Sequence, residues 1–180
     1  GVGLGFALPY GLGSDSPTVI GLTMMGAGPV AGIAAYRYAT HVDLTRGQAR
    51  LIEFAGDFAI WQAVGWSVVA DAETEDVLLH GTAAMLAGSV LGAWIAHDRP
   101  ISAGQTGILS SATLWGGWFG LVGAQIAGAR NNPEGDEILG TMLVASTVGA
   151  LGGAIGASLT DLPEPRLRGI NFAGILGTAF

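Results

Sequence analysis

The chain has 180 residues, of which half are hydrophobic, 31 are glycine and only 12% are charged. Soluble domains carry about 25% charged residues and about 7% glycine, so this composition is unusual for a soluble domain and excludes intrinsic disorder. The absence of cysteine excludes disulfides, thiol catalysis and zinc–thiolate sites, and a net charge of −7 argues against nucleic-acid binding, which needs a basic surface.

Five apolar segments of helix length follow one another along the chain. Four of them contain no Asp, Glu or Arg, namely 18–36, 77–96, 100–129 and 138–160. The segment 51–70 is interrupted only by Glu53 and Asp57. Since about 20 apolar residues cross the hydrocarbon core as a helix, the segments predict five membrane-spanning helices. A sixth segment, after Arg168, is too short to span a membrane alone.

The arginines are sorted between alternate loops. Those following the first, third and fifth segments hold Arg37, Arg46, Arg50, Arg99, Arg166 and Arg168. The N-terminal stretch and the other loops hold mainly acidic residues, with Arg130 as their one cation. Short Arg-bearing loops are retained in the cytoplasm, so the pattern predicts a multi-pass membrane protein. If the membrane is an inner membrane, its N-terminus lies outside and its Arg-bearing loops lie in the cytoplasm; the pattern does not decide between an inner and an outer membrane. The alternative is a soluble helical bundle rich in Gly and Ala.

Small residues recur at every fourth position in the third, fourth and fifth segments. These series are Ala84, Gly88, Gly92 and Ala96; Ala112, Gly116, Gly120 and Ala124; and Ala145, Gly149, Gly153 and Ala157. Residues four apart share a helix face, so the series predict grooves through which helices pack closely in a membrane. The series that begins at Ala84 matches the one at Ala145, and a series from Ala55 matches the one at Ala112. The sequence therefore predicts one all-α domain, 1–180, built from tandem hairpins at about 17–70, 75–129 and 136–180, the last incomplete.

Two further patterns accompany these hairpins. The motif Ile-x-x-Ala-Gly begins at Ile52 and at Ile170, and Trp115 is followed by Gly116. In these motifs the chain resembles uncharacterised bacterial membrane-repeat proteins rich in Gly and Ala, and the resemblance covers most of its length. The resemblance implies an α-helical membrane fold and no assigned activity.

Glu53 and Asp57 are the sharpest candidates for chemistry. They lie four residues apart on one face of the second helix, and a carboxylate within a membrane is protonated, paired or directed at a water-filled path. One interpretation is a proton or cation path. The other is that Glu53 pairs with Arg46 or Arg50 and that Asp57 is satisfied by its neighbours.

No other pattern indicates catalysis, a cofactor or a metal. The sequence has no P-loop, HExxH or GxSxG motif, and His80, near the start of the third helix, is interpreted as a hydrogen-bonding residue. We therefore expect a non-enzymatic structural module in contact with membrane lipid, forming a homo-oligomer or a subunit among other membrane proteins. The alternatives are a proton or cation channel or transporter using Glu53 and Asp57, and a soluble helical interaction protein.

Overall fold

A computed structural model describes residues 16–128 and 134–179, and every regular element within them is an α-helix. The six helices are α1 (Pro17–Val42), α2 (Arg46–Val69), α3 (Thr74–Ala96), α4 (Ala103–Gly128), α5 (Gly135–Leu159) and α6 (Glu164–Ala179). The all-α prediction is confirmed. Two helices of the described part, α3 and α5, are long and apolar enough to cross a membrane. That the chain crosses a membrane, and how often, stays a prediction.

The helices run further into the Arg-bearing segments than the sequence predicts. Arg37 lies inside α1, which continues to Val42 and ends where Asp43 adopts a left-handed backbone conformation (φ 46°, ψ 50°). No Gly or Pro interrupts this last part of the helix, and a cation near a helix C-terminus is favourable. Also helical, rather than in the predicted loops, are Arg46, Arg50, Arg166 and Arg168.

The same side-chain cap begins α2 and α4. The Gln48 N–H donates to the Thr45 hydroxyl (3.2 Å), and the Thr45 N–H donates to Gln48 Oε1 (2.8 Å). Ser102 and Gln105 make the same two bonds, each 3.0 Å long. This reciprocal arrangement is a capping box, and it starts α2 at Arg46. Arg46 therefore belongs to the helix and not to the loop.

The contacts divide the chain into two units. Unit 1 holds the described residues up to Leu44 together with Ala55–Gly92, and unit 2 holds Thr45–Phe54 and the described residues from Ala93 onward. Within unit 2, α5 and α6 both pack against α4. Leu167 of α6 is buried beside Gly107 of α4.

Small and hydroxyl-bearing residues dominate the interior, whereas large apolar side chains lie outside. In the described part, the buried hydrophobic residues are Ala96, Ala124, Leu143 and Leu167, and the buried polar ones are Ser67, Thr82, Thr106 and Ser146. By contrast, Trp94 of α3 is 75% exposed and Val148 of α5 is 64% exposed. A soluble bundle buries its large apolar side chains, so the distribution found here is the opposite one.

Candidate functional site

The twelve small residues predicted to line helix grooves are all buried or half-buried. Gly88 of α3 lies directly against α2, where a Cβ atom would be 2.6 Å from the Ala59 Cβ and would collide with the Ala55 carbonyl oxygen. A Cβ atom on Gly56 of α2 would lie 2.5 Å from Ser89 Oγ. We call this line of contact the α2–α3 seam.

A second line of contact, the α4–α5 seam, brings two of the predicted series together. A Cβ atom on Gly149 would collide with the Ala112 carbonyl oxygen and lie 3.2 Å from the Gly116 Cα. In return, a Cβ atom on Gly116 would collide with the Ala145 carbonyl oxygen and lie 3.1 Å from the Gly149 Cα. The seam is extended by Gly120 and Gly153. Glycine is required here because the two backbones themselves are in contact.

The two seams use residues that correspond in the repeat predicted from the sequence. Ala112 occupies the position in its series that Ala55 occupies in the earlier one, and Gly149 likewise corresponds to Gly88. In each seam the glycine lies against the carbonyl of the corresponding alanine. Gly88 of the α3 series thus lies against α2, and the α4 and α5 series lie against each other.

The capping glutamines also join neighbouring helices. Gln48 Nε2 donates to the carbonyl oxygens of Ala96 (2.7 Å) and Arg99 (3.1 Å), and Gln105 Nε2 donates to that of Ala157 (3.0 Å). Carbonyls at a helix C-terminus lack partners within their own helix, so these bonds satisfy the ends of α3 and α5. The bonds were not predicted, although the Ser/Thr-x-x-Gln spacing before each helix is a local signal for the cap.

The segments that precede α2, α4 and α6 meet at one end of unit 2. The Thr106 hydroxyl donates to the Gly47 carbonyl oxygen (3.1 Å), and the Ser102 hydroxyl donates to Asp161 (2.6 Å). Gly104 lies so close to the Leu162 carbonyl that a Cβ atom would not fit. These segments and the first turns that follow them carry most of the arginines of the chain.

Three arginines surround one carboxylate at this end. Arg50 is closely bonded to Glu164, the first residue of α6, while Arg46 Nη1 and Arg168 Nη2 lie 3.4 and 3.5 Å from its oxygens. The bond from Arg50 and the positive charge of all three guanidinium groups hold the pKa of Glu164 below its ordinary value, against the opposing effect of desolvation. We call these four residues the arginine cluster; its net charge at neutral pH is +2.

Glu53 and Asp57 both lie exposed on α2. Neither makes an ion pair within the described part of the chain, and Arg46 and Arg50, the arginines nearest to Glu53 in sequence, engage Glu164 instead. The alternative that Glu53 pairs with one of these arginines therefore does not describe the structure. Their role in a proton or cation path stays a prediction.

Two other polar contacts involve residues that the sequence brought to attention. His80 Nδ1 shares a hydrogen bond of 3.1 Å with the Ser67 hydroxyl, in keeping with a hydrogen-bonding role. Trp115 Nε1 donates to Asn171 Oδ1 (3.0 Å), and Asn171 Nδ2 donates to the Ser111 hydroxyl (2.8 Å). These two bonds connect α6 to α4.

Among residues 16–128 and 134–179, no group of three or more His, Asp or Glu side chains is arranged to hold a metal ion.

No protein-family model, curated protein or solved structure matches the chain.

Proposed function

We propose that the chain is a non-enzymatic structural module of a membrane, whose helices cross the bilayer and pack laterally through small residues as a subunit of a larger assembly. The observation that carries the proposal is the reversed distribution of side-chain size. On α5, Gly149 and Gly153 face α4, whereas Val148, Leu151 and Ile155 are exposed. Membrane helices pack through small residues because lipid already solvates the large apolar ones.

The energetics of this distribution favour lipid over water. Exposing a large aliphatic side chain to water forgoes about 1.5–3 kcal/mol of burial free energy, and soluble monomers rarely expose extended apolar patches. A mid-helix glycine also costs roughly 0.5–1 kcal/mol relative to alanine. Close backbone approach along the α4–α5 seam offsets that cost through dispersion and weak Cα–H···O contacts.

Two features support the tandem-hairpin and topology parts of the proposal. The capping box of Thr45 and Gln48 recurs at Ser102 and Gln105. Each seam joins the second helix of one predicted hairpin to the first helix of the next, and the two seams use alanines and glycines at corresponding positions. The arginine cluster collects cations at one end of unit 2, which we assign to the cytoplasmic side. The N-terminal segment 1–15, predicted to lie outside, and Arg130 fall outside the described residues.

Outward-facing glycines suit lateral assembly with another copy or another membrane subunit. Gly123 of α4 and Gly152 of α5 are exposed, and a Cβ atom on either would meet open space. Small residues on an outer face allow a second helix to approach closely.

Membrane partitioning followed by mass determination tests the proposal. Membranes from cells expressing the full chain are washed with alkaline carbonate and then dissolved in detergent. We expect only detergent to release the protein, and the protein mass of the particle to exceed the 18.1 kDa of one chain. Recovery without detergent would contradict the membrane location and favour the soluble interaction protein. A monomer in detergent and in membrane cross-linking would contradict the assembly.

A proton or cation path is the second candidate function. It is supported by Glu53 and Asp57, which are exposed and make no ion pair within the described residues. The test is ion or proton flux into proteoliposomes, with Glu53→Gln and Asp57→Asn compared with the parent chain. Asp98→Asn, in the exposed loop after α3, is the matched control. Loss of flux in Glu53→Gln and Asp57→Asn, but not in Asp98→Asn, would support the path. Absence of flux with the parent chain would eliminate it.

A further inference from the structure

We propose that the arginine cluster binds the phosphate group of an anionic membrane lipid at the Arg-bearing end of the protein. The inference rests on the proposed membrane location.

The cluster has more hydrogen-bond donors than its own carboxylate can use. Each guanidinium carries five N–H donors in a planar fork, whereas Glu164 offers two oxygens. Arg46 and Arg168 lie 3.4 and 3.5 Å from those oxygens, beyond the 2.7–2.9 Å of a short charge-assisted bond. Their side chains are 68% and 75% exposed. Donors of both residues are thus open to a second anion, and phosphate matches the guanidinium fork.

Apolar surface begins directly beside these arginines. Along α6, the residues after Arg168 include Ile170, Phe172 and Ile175, all more than half exposed. With a rise of 1.5 Å per residue, Phe172 lies only about 6 Å further along the helix axis than Arg168. A lipid can therefore place its headgroup at the arginines and an acyl chain along α6. A free phosphate ion would make no use of that apolar surface.

Glu164 holds the guanidinium groups together and competes with the lipid phosphate for them. Replacing Glu164 with Gln raises the net charge of the cluster from +2 to +3 and frees donors of Arg50. Glu164→Gln should therefore strengthen lipid binding, whereas Arg46→Gln and Arg168→Gln should weaken it. These opposite signs distinguish a built site from a general effect of folding, since all three changes remove ion pairs from the protein.

Native mass spectrometry of the detergent-solubilised full chain, titrated with phosphatidylglycerol or phosphatidylcholine, measures the binding directly. We expect the parent chain to retain phosphatidylglycerol in preference to phosphatidylcholine. The double variant Arg46→Gln/Arg168→Gln should bind phosphatidylglycerol at least about tenfold more weakly, given the strength of arginine contacts near an anionic surface. The matched control is Arg99→Gln/Arg166→Gln, which removes the same charge from exposed arginines that do not pair with Glu164.

The other possible outcomes would contradict the proposed lipid site. Equal loss in both double variants, or equal retention of the two lipids by the parent, would overturn the site. Displacement of phosphatidylglycerol by millimolar inorganic phosphate would show a simple anion site and overturn the lipid assignment. The two proposals fail in different ways. Release of the protein by alkaline carbonate would contradict the membrane module. A protein that resists carbonate but binds both lipids equally would contradict the lipid site alone.

Discussion

Single residues decide how closely the helices of each seam can approach. We expect Gly149→Ala to destabilise the protein by about 1–3 kcal/mol, because the new methyl group collides with the Ala112 carbonyl and the backbones must separate. The measurement is the free energy of unfolding in detergent, followed by circular dichroism. Gly88→Ala should behave alike, since its methyl group would collide with the Ala55 carbonyl.

Gly140→Ala is the matched control for this prediction. It lies on the same helix as Gly149, and its Cβ would meet open space, so the substitution should be neutral or stabilising by up to about 1 kcal/mol. Equal destabilisation by Gly149→Ala and Gly140→Ala would contradict the seam.

For single residues, the sequence predicts which positions line a groove better than it predicts which residues lie against them. The spacing of four places Gly116 and Gly149 on grooves because helix periodicity is a local property. It does not say which helix fills the groove, which depends on tertiary packing. The arginines show the same limit: Arg50 has a carboxylate three residues away in Glu53, yet it pairs with Glu164, far along the chain in α6.

At the scale of helices, Gln48 joins the start of α2 to the end of α3, and Gln105 joins the start of α4 to the end of α5. We expect Gln105→Ala to cost about 1–2 kcal/mol of unfolding free energy, since it removes both the cap and the bond to the Ala157 carbonyl. Gln105→Glu keeps an acceptor for the Ser102 N–H but loses the donor. It should therefore also destabilise, even though the cap is preserved.

Gln125→Ala controls for the change of residue type, because Gln125 lies exposed near the end of α4 and should tolerate alanine. If Gln105→Glu were as stable as the parent, the bond to Ala157 would have no role and the cap alone would explain Gln105→Ala. Circular dichroism during thermal unfolding separates these outcomes.

The link between α2 and α6 should depend on pH through Glu164. Arg46, Arg50 and Arg168 hold its pKa below the ordinary value of 4.5, so the charged form is favoured in the folded state. Its contribution to stability is fully present above that ordinary value and is lost as the pH falls through the lower, folded-state pKa. The melting temperature of the parent should exceed that of Glu164→Gln at pH 7, and the difference should shrink as the pH falls below 4.5. A difference independent of pH would contradict the ionic link.

The sequence predicts that the helices exist. Their ends and their connections depend both on local residues and on contacts between helices. The capping box of Thr45 and Gln48 lies within four consecutive residues and determines the start of α2. The second role of Gln48, as a donor to the Ala96 carbonyl, exists only once α2 and α3 lie side by side. Local sequence therefore indicates the cap and not the connection.

At the scale of the whole molecule, the all-α architecture follows from composition and periodicity, whereas the number of membrane crossings does not. Apolar length alone identifies α3 and α5. Helix α2 contains Glu53 and Asp57, and α4 contains several Ser and Thr residues, so their place in a membrane depends on what covers their polar faces. That information lies in packing and assembly rather than in hydropathy.

The lack of cysteine makes the crossings directly measurable. Single cysteines introduced by Glu73→Cys and Asp98→Cys flank α3, and those from Asp136→Cys and Thr160→Cys mark the two ends of α5; all four positions are exposed. If the Arg-bearing end is cytoplasmic, a membrane-impermeant maleimide should label Glu73→Cys and Asp136→Cys in intact cells, after the outer membrane is permeabilised where there is one. It should label Asp98→Cys and Thr160→Cys only in inverted vesicles.

The parent chain, without cysteine, sets the background. Labelling of both members of a pair from the same side would show that the helix between them does not cross the membrane, and reversal of both pairs would invert the topology while preserving the crossings.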